Sequence, residues 1–230
     1  MIEKKEITIH QIIWYLVIFS IIGLIVETLF CLITTGVLES RKGLIYGPFC
    51  PIYGVGATII IILLDKFKDS KIKLFVFGGM LGSLIEYIIS FGLEAFYGTR
   101  FWDYSYLKFN LNGRICITYT LFWGILAIVL IKLAKPCIDY IINKISIKKT
   151  KIVDILIILA AILDIGFTIW GINSYKNRAI CHYYKKNTDN VSITKQIENK
   201  IFSDEYMKKT FPNLRIINDV GEEVFIRDII

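Results

Sequence analysis

The sequence predicts an all-α polytopic membrane protein: a bundle of five transmembrane helices followed by a small polar C-terminal tail. Three observations predict it. Hydrophobic residues make up 55% of the 230 residues, and the mean hydropathy is +0.57. The apolar residues cluster into five segments, 11–35, 44–64, 74–93, 115–133 and 152–172, instead of alternating along the chain. Each holds about 19 to 25 residues, enough at about 1.5 Å per residue to cross a hydrocarbon layer about 30 Å thick. Lysines gather in the short polar stretches between these segments, where they orient spans. The formal net charge of +7 therefore points to a lipid bilayer and not to nucleic acid.

The first segment lies near the N-terminus, but its apolar run is too long for the core of a signal peptide. No small-x-small cleavage pattern follows at Thr35 and Gly36, and the segment contains Glu27, so it is expected to be a retained helix. The second segment opens on RKGLIYGPFCPIYGVG, 41–56, which has the glycines of a phosphate loop but neither its lysine-hydroxyl end nor a preceding strand. Pro48 and Pro51 lack an amide hydrogen, while Gly47, Gly54 and Gly56 tolerate bends and close contact around Tyr53. In hydrocarbon such a backbone is allowed only inside protein or beside water, so this is an irregular, tightly packed helix entrance within the bundle. Packing alone and lining a site are both open at this spacing.

Orientation follows from charge. One side collects twelve basic residues: Lys4, Lys5, Lys66, Lys68, Lys71, Lys73, Lys132, Lys135, Lys144, Lys148, Lys149 and Lys151. The loops of the other side hold Arg41, Lys42, Arg100, Lys108 and Arg114. The lysine-rich side is expected in the cytoplasm, with the N-terminus inside and the C-terminus outside. Basic residues near the start of the tail weigh against that assignment.

Two domains are expected, a transmembrane helical domain over 1–175 and a polar tail over 176–230. From residue 177 onward the tail carries nine basic and eight acidic residues, and LRIINDVGEEVFIRDII suggests short strands around Gly221. A flexible tail and a small docked module are both compatible with this pattern. The five cysteines form no CxxC pair, and the two histidines, His10 and His182, sit in polar surroundings outside the expected core. No catalytic residue, cofactor site or metal site is expected.

Glu27 and Glu86 fall inside spans, and Glu94 closes the third near its outer end. A carboxylate at that depth is costly and should face inward, either paired or protonated, with Arg41, Arg100 and Arg114 as available partners. GLIVE at 23–27 is echoed by GSLIE at 82–86; each places a glycine one turn before a glutamate. A parallel repeat of helix pairs is one reading and coincidence the other. Asp164 sits near the centre of the fifth span with no assigned role. The loop YGTRFWDYSYLKFNLNGRI, 97–115, has the aromatics of an interfacial belt in Trp102, Tyr104 and Tyr106. Asp103 is expected to anchor Arg41, Arg100 or Arg114. Asn112 is expected either to cap the fourth helix or to turn with Gly113, giving a folded, charge-paired lid.

Together, GLIVETLF, RKGLIYGPFCPIYGVG, LIEYIISFGLEAFYGTRFWDYS and NLNGRICITYTLFWG resemble the bacterial ABC-transporter type IV (CmpB-like) family of integral membrane proteins, over about 14–124. Lys42 intervenes where the family places arginine directly before glycine. The resemblance carries over Glu27, Gly47, Pro48, Pro51, Tyr53, Gly54, Gly56, Glu86, Glu94, Trp102, Asp103, Tyr104, Asn112, Gly113 and Arg114. It implies a permease-like transporter component of unknown substrate, with a separate ATPase or a homo-oligomer as partner, since no nucleotide motif is present. The alternative is a non-transporting membrane scaffold or envelope-associated interaction protein whose acids and arginines only lock the bundle. An intramembrane enzyme acting on lipid ranks last, because no nucleophile is paired with a base.

Overall fold

The computed structural model describes residues 7–144, 147–185 and 193–230; Lys4, Lys5 and the side chains of Lys148 and Lys149, counted above for orientation, lie outside the described residues. Helix α1 (Ile9–Thr35) starts on a capping box in which the Thr8 hydroxyl accepts from the Gln11 amide while the Gln11 side chain accepts from the Thr8 amide. It ends at Gly36, whose positive φ of 73° closes the last turn. Helix α2 (Pro51–Leu64) begins with proline at its first position, where no amide hydrogen is missed. Helix α3 (Lys71–Tyr97) is capped by Ser70 and stops at Gly98. Helix α4 (Ile117–Val129) continues through a π-helical stretch, Leu130–Ala134, into α5 (Lys135–Lys144). Helix α6 (Ile147–Tyr183) follows, and the short α7 (Ile193–Ile201) and α8 (Asp204–Thr210) lie in the tail.

Four helical stretches are long and apolar enough to cross a membrane: Ile9–Thr35, Lys71–Tyr97, Ile117–Lys144 and Lys151–Tyr183. Of the five expected transmembrane helices, the second falls short of this length. Only Pro51–Leu64 of the run 44–64 is helical, and 14 residues reach about 21 Å. Outward-facing residues such as Ile25, Ile88, Ile125 and Leu163 are exposed, as expected where hydrocarbon is the solvent.

The depth at which α2 begins is set by its contacts. The Cys50 amide donates to the Ser20 carbonyl at 3.0 Å, and Ser20 lies near the middle of α1. Helix α2 therefore fills the bundle only from mid-depth to the end at which α1 begins. That end is closed by a core of Tyr15, Phe19, Ile60, Ile61, Leu64, Leu74, Ala127, Leu130 and Ile131. Two polar clamps tie it together. His10 Nδ1 lies 2.7 Å from Asp154 Oδ2, to whose other oxygen Trp14 donates at 3.0 Å; the Tyr15 hydroxyl bonds Asp139, which Lys135 also reaches at 2.7 Å. His10 is thus buried, not outside the core as its neighbours in sequence suggested.

Above Cys50 the chain 44–50 is irregular at membrane depth, and its amides are met by α6. Ile45 N–H donates to Thr168 Oγ1 at 2.9 Å and Tyr46 N–H to Asp164 Oδ1 at 3.0 Å, while Gly43 N–H donates to the Phe49 carbonyl at 2.9 Å. Pro48 and Pro51 have no amide to satisfy. Gly47 turns the chain with φ 69°. Contrary to a wholly packed entrance, Gly47 and Pro48 are exposed, whereas Gly54 and Gly56 are buried and Pro51 and Tyr53 half-buried. The exposed tip carries the proline, so it presents one donor fewer to lipid.

Small residues allow the closest helix contacts. A Cβ on Gly54 would lie 2.4 Å from the Leu16 carbonyl oxygen, and one on Gly78 would lie 2.2 Å from Ala127 Cβ across the α3–α4 interface. At the opposite end, β1 (Thr99–Arg100) pairs with β4 (Arg215–Ile217), and β4 pairs with β5 (Glu223–Phe225), both antiparallel. This small sheet docks the tail on the extension of α6 through Ile45, Ile172, Tyr175, Phe202, Met207, Phe211, Leu214 and Ile226. A second hairpin, β2 (Asn110–Leu111) with β3 (Ile115–Cys116), orders the loop before α4.

Gly54→Leu is expected to lower thermal stability in detergent by about 1–3 kcal/mol of overpacking, since the obstructing atom is backbone. Gly92→Ala, with nothing within 4 Å of its Cβ position, should be neutral or stabilising. Equal melting of the two variants would contradict the packing described. Asp164→Leu strands the Tyr46 amide and should cost about 1–3 kcal/mol, whereas Asp164→Asn keeps an acceptor and should stay near wild type. A leucine variant as stable as the asparagine variant would show that this bond does not hold the segment.

Candidate functional site

The half-length of α2 leaves the tail-end half of the bundle without a helix between α1, α3, α4 and α6. A cavity of about 780 Å³ occupies that space. Its lining comes from the tail-end halves of all four long helical stretches, from the irregular segment, and from the 99–106 loop and the tail.

The floor is built from two units of the same construction. Gly23 admits the Tyr53 ring so closely that a Cβ there would lie 2.1 Å from Tyr53 Cβ, and Tyr53 donates its hydroxyl to Glu27 Oε2 at 2.5 Å. Gly82 admits Trp123, with 2.3 Å to Cγ, and Trp123 donates its indole N–H to Glu86 Oε2 at 3.2 Å. The two rings stack at 5.6 Å, joining the units. Tyr104 reaches down from the loop to donate to Glu86 Oε1 at 2.8 Å, its own ring stacked on Tyr119 at 4.4 Å. Burial, and next the Glu86 carboxylate, push the Tyr104 phenol well above its ordinary range, so it stays protonated and donating. Glu86 is 5% exposed and Glu27 half-buried. Among the described residues neither carboxylate has a cationic partner.

The arginines expected to pair with those acids are used elsewhere. Arg100 and Arg114 converge on Glu94, with Arg114 Nη1 2.5 Å from Oε2. Arg100 continues to Glu223 of the tail at 2.6 Å, and Glu223 to Arg215 at 2.8 Å. Arg41 contacts the Cys31 sulfur and lies 3.8 Å from Glu39, which Arg227 holds at 2.7 Å. Asp103 does not anchor Arg41, Arg100 or Arg114. It accepts from the Ser105 amide at 2.9 Å and lies 3.7 Å from Arg215. The physical reason is the docked tail, which brings Arg215, Glu223 and Arg227 to this surface.

Asn112 does not cap α4, whose N-cap Cys116 makes no side-chain bond. Asn112 and Gly113 both have positive φ, 54° and 67°, and Arg114 N–H donates to the Leu111 carbonyl at 3.0 Å, the geometry of a tight hairpin turn. A Cβ on Gly113 would lie 2.3 Å from Asp103 Oδ1. Trp102 donates to the Arg114 carbonyl at 3.0 Å, which folds the loop against its own hairpin. The sequence reading missed Trp123, Tyr119 and Thr168 as site residues, and all of the tail's contributors. The aromatic in LFWG at one-turn spacing from Tyr119 was the available signal for Trp123; nothing local marks Arg215 or Arg227.

No curated protein and no solved structure matches the chain. The family described as Putative ABC-transporter type IV matches residues 14–169, about two-thirds of the chain. That match takes in the broken entrance, both carboxylate units, the folded loop and most of α6, so the architecture of the cavity lies largely within it. The chain belongs to this family: it is a bacterial multi-pass membrane protein, a permease-like component of an ABC-type transporter with no specified substrate.

Proposed function

We propose that the cavity is the solute path of the permease, with Glu27 and Glu86 as its floor and the 97–115 loop and tail as its mouth. The observation that carries this reading is a cavity of about 780 Å³ reaching two intramembrane carboxylates that are held by neutral donors and left without a cation among the described residues. A carboxylate that only locked a bundle would be matched by a base or closed off as a neutral acid, not left facing a cavity. The closed core at the other end makes this a state open toward the tail. Trp102, Asp103, Tyr104 and Arg41 line the mouth, whereas Glu94, Asn112 and Arg114 hold the loop that forms it.

In this reading the chain crosses the bilayer five times, the second crossing being the irregular segment 44–50 completed by α2. The N-terminus is cytoplasmic and the tail outside, supported by exposed Lys66, Lys68, Lys71, Lys73, Lys144 and Lys151 at one end. A separate ATPase meets the permease at that lysine-rich end; a second copy of the chain is the other candidate partner. The scaffold alternative draws on the ion-pair chain tying the tail down, but it gives no account of the cavity.

With native cysteines replaced, Asp69→Cys should be protected from an impermeant thiol reagent in intact cells and Lys108→Cys labelled; the reverse pattern inverts the orientation. Glu86→Gln keeps size and hydrogen-bonding capacity while removing charge. It is expected to reach normal membrane abundance yet fail to complement a deletion strain. Normal abundance with full complementation would remove Glu86 from the path.

A further inference from the structure

We propose that the cavity binds a dipolar organic solute, its ammonium group on the Glu27–Glu86 floor and its acidic group against Arg41, Lys42 and Arg215 at the mouth. This deepens the reading of the cavity as a solute path and rests on it.

The two ends of the cavity differ in charge: the floor has carboxylates without a cation among the described residues, and the mouth gathers cationic side chains, of which Arg215 and Arg227 also hold Glu223 and Glu39. The floor has two carboxylates and no cation, and the hydrogen bonds they accept come from the neutral Tyr53, Tyr104 and Trp123. A carboxylate in a low-dielectric site held only by neutral donors is completed by a proton or a cation, and the cavity gives a cation access. Tyr53, Trp123, Tyr104 and Tyr119 line the cavity beside it, an aromatic setting that favours an organic ammonium over a hydrated metal ion.

The mouth is the converse. Four cationic side chains, Arg41, Lys42, Arg215 and Arg227, line it against the two carboxylates of Glu39 and Asp103. Lys42 makes no ion pair among the described residues. Arg215 and Arg227 both lie over the Phe225 ring, 4.3 and 4.8 Å from its centroid, so one aromatic ring positions two of these guanidinium groups. Guanidinium and ammonium groups lining one mouth fit the oxygens of a carboxylate or phosphate.

Spacing sets the length of the dipole. Arg41 touches Cys31, one helical turn beyond Glu27, so the nearest poles are about 6 Å apart along the α1 axis. Apolar Phe30, Ile89, Leu93 and Ile169 line the space between, which suits a short hydrocarbon spacer. A free zwitterion and the headgroup of a zwitterionic lipid share this chemistry.

The test is isothermal titration of the full chain, purified in an uncharged maltoside detergent, with ε-aminocaproate, hexylamine and hexanoate. A lysophosphatidylethanolamine is titrated in parallel. The dipolar probe is expected to bind at least about tenfold more tightly than either single-charge analogue. Glu27→Gln, a half-buried position, should remove that advantage and leave hexanoate binding unchanged. Arg215→Gln should remove it and leave hexylamine unchanged, and Glu86→Gln serves as the second floor variant. Preference for the lysolipid over ε-aminocaproate, with the same variant pattern, assigns the dipole to a lipid headgroup. Hexylamine or hexanoate binding as tightly as the dipolar probe, or no binding by any of the four, overturns the proposal. Absent binding beside a Glu86→Gln complementation defect sinks this inference alone; dipolar binding with full complementation sinks the solute-path reading instead.

Discussion

Backbone amides at membrane depth have no water to turn to, and the stretch 44–50 places several of them near the middle of the bundle. The rest of the architecture follows from how they are satisfied. Asp164 and Thr168 of α6 receive two of them, the Ser20 carbonyl of α1 receives the Cys50 amide, and Pro48 has none to satisfy. Helix α2 can then start at mid-depth. Because it starts there, the half of the bundle beyond it is left open, and the cavity is that opening. The closed core and the open cavity are thus two consequences of one break in one helix.

The floor of the cavity shows how a costly charge is kept at depth. In each unit a glycine lets an aromatic ring sit against the helix that carries the glutamate, and the ring donates its only polar hydrogen to the carboxylate one turn away. A larger residue at Gly23 or Gly82 would displace the ring and with it the donor. Glycine here is a recognition element as much as a packing one. The carboxylates are oriented by neutral donors, with no cationic side chain beside them among the described residues.

Much of this was legible in the sequence and part of it was not. Hydropathy located the apolar segments, and proline and glycine spacing marked 44–56 as broken. Gly-x-x-x-Glu singled out the two carboxylates before their aromatic partners were visible. Hydropathy cannot see how much of an apolar run is helical, so the run 44–64 was counted as one span although its helix covers only Pro51–Leu64. Asp164 was noticed but unexplained; a carboxylate at mid-span opposite a proline-glycine break is the signal that was present. Of the acids offered to the arginines, only Glu94 receives any, Arg100 and Arg114; the further partners, Glu223 and Glu39, and the competing Arg215 and Arg227 come together only when the tail docks. No local spacing rule reports contacts so distant in the chain.

The central claim is that α2 begins at mid-depth and opens the half of the bundle beyond it to water. Ile52, in the first turn of α2 and on the cavity wall, tests it most directly. A nitroxide placed there in a lipid nanodisc should be relaxed more by a water-soluble nickel reagent than by oxygen, despite its depth. The same label at the outward-facing Ile88 should show the opposite preference. Oxygen-dominated relaxation at Ile52, or protection from both reagents, would mean a continuous packed helix with no wet cavity beyond it, and would contradict the account.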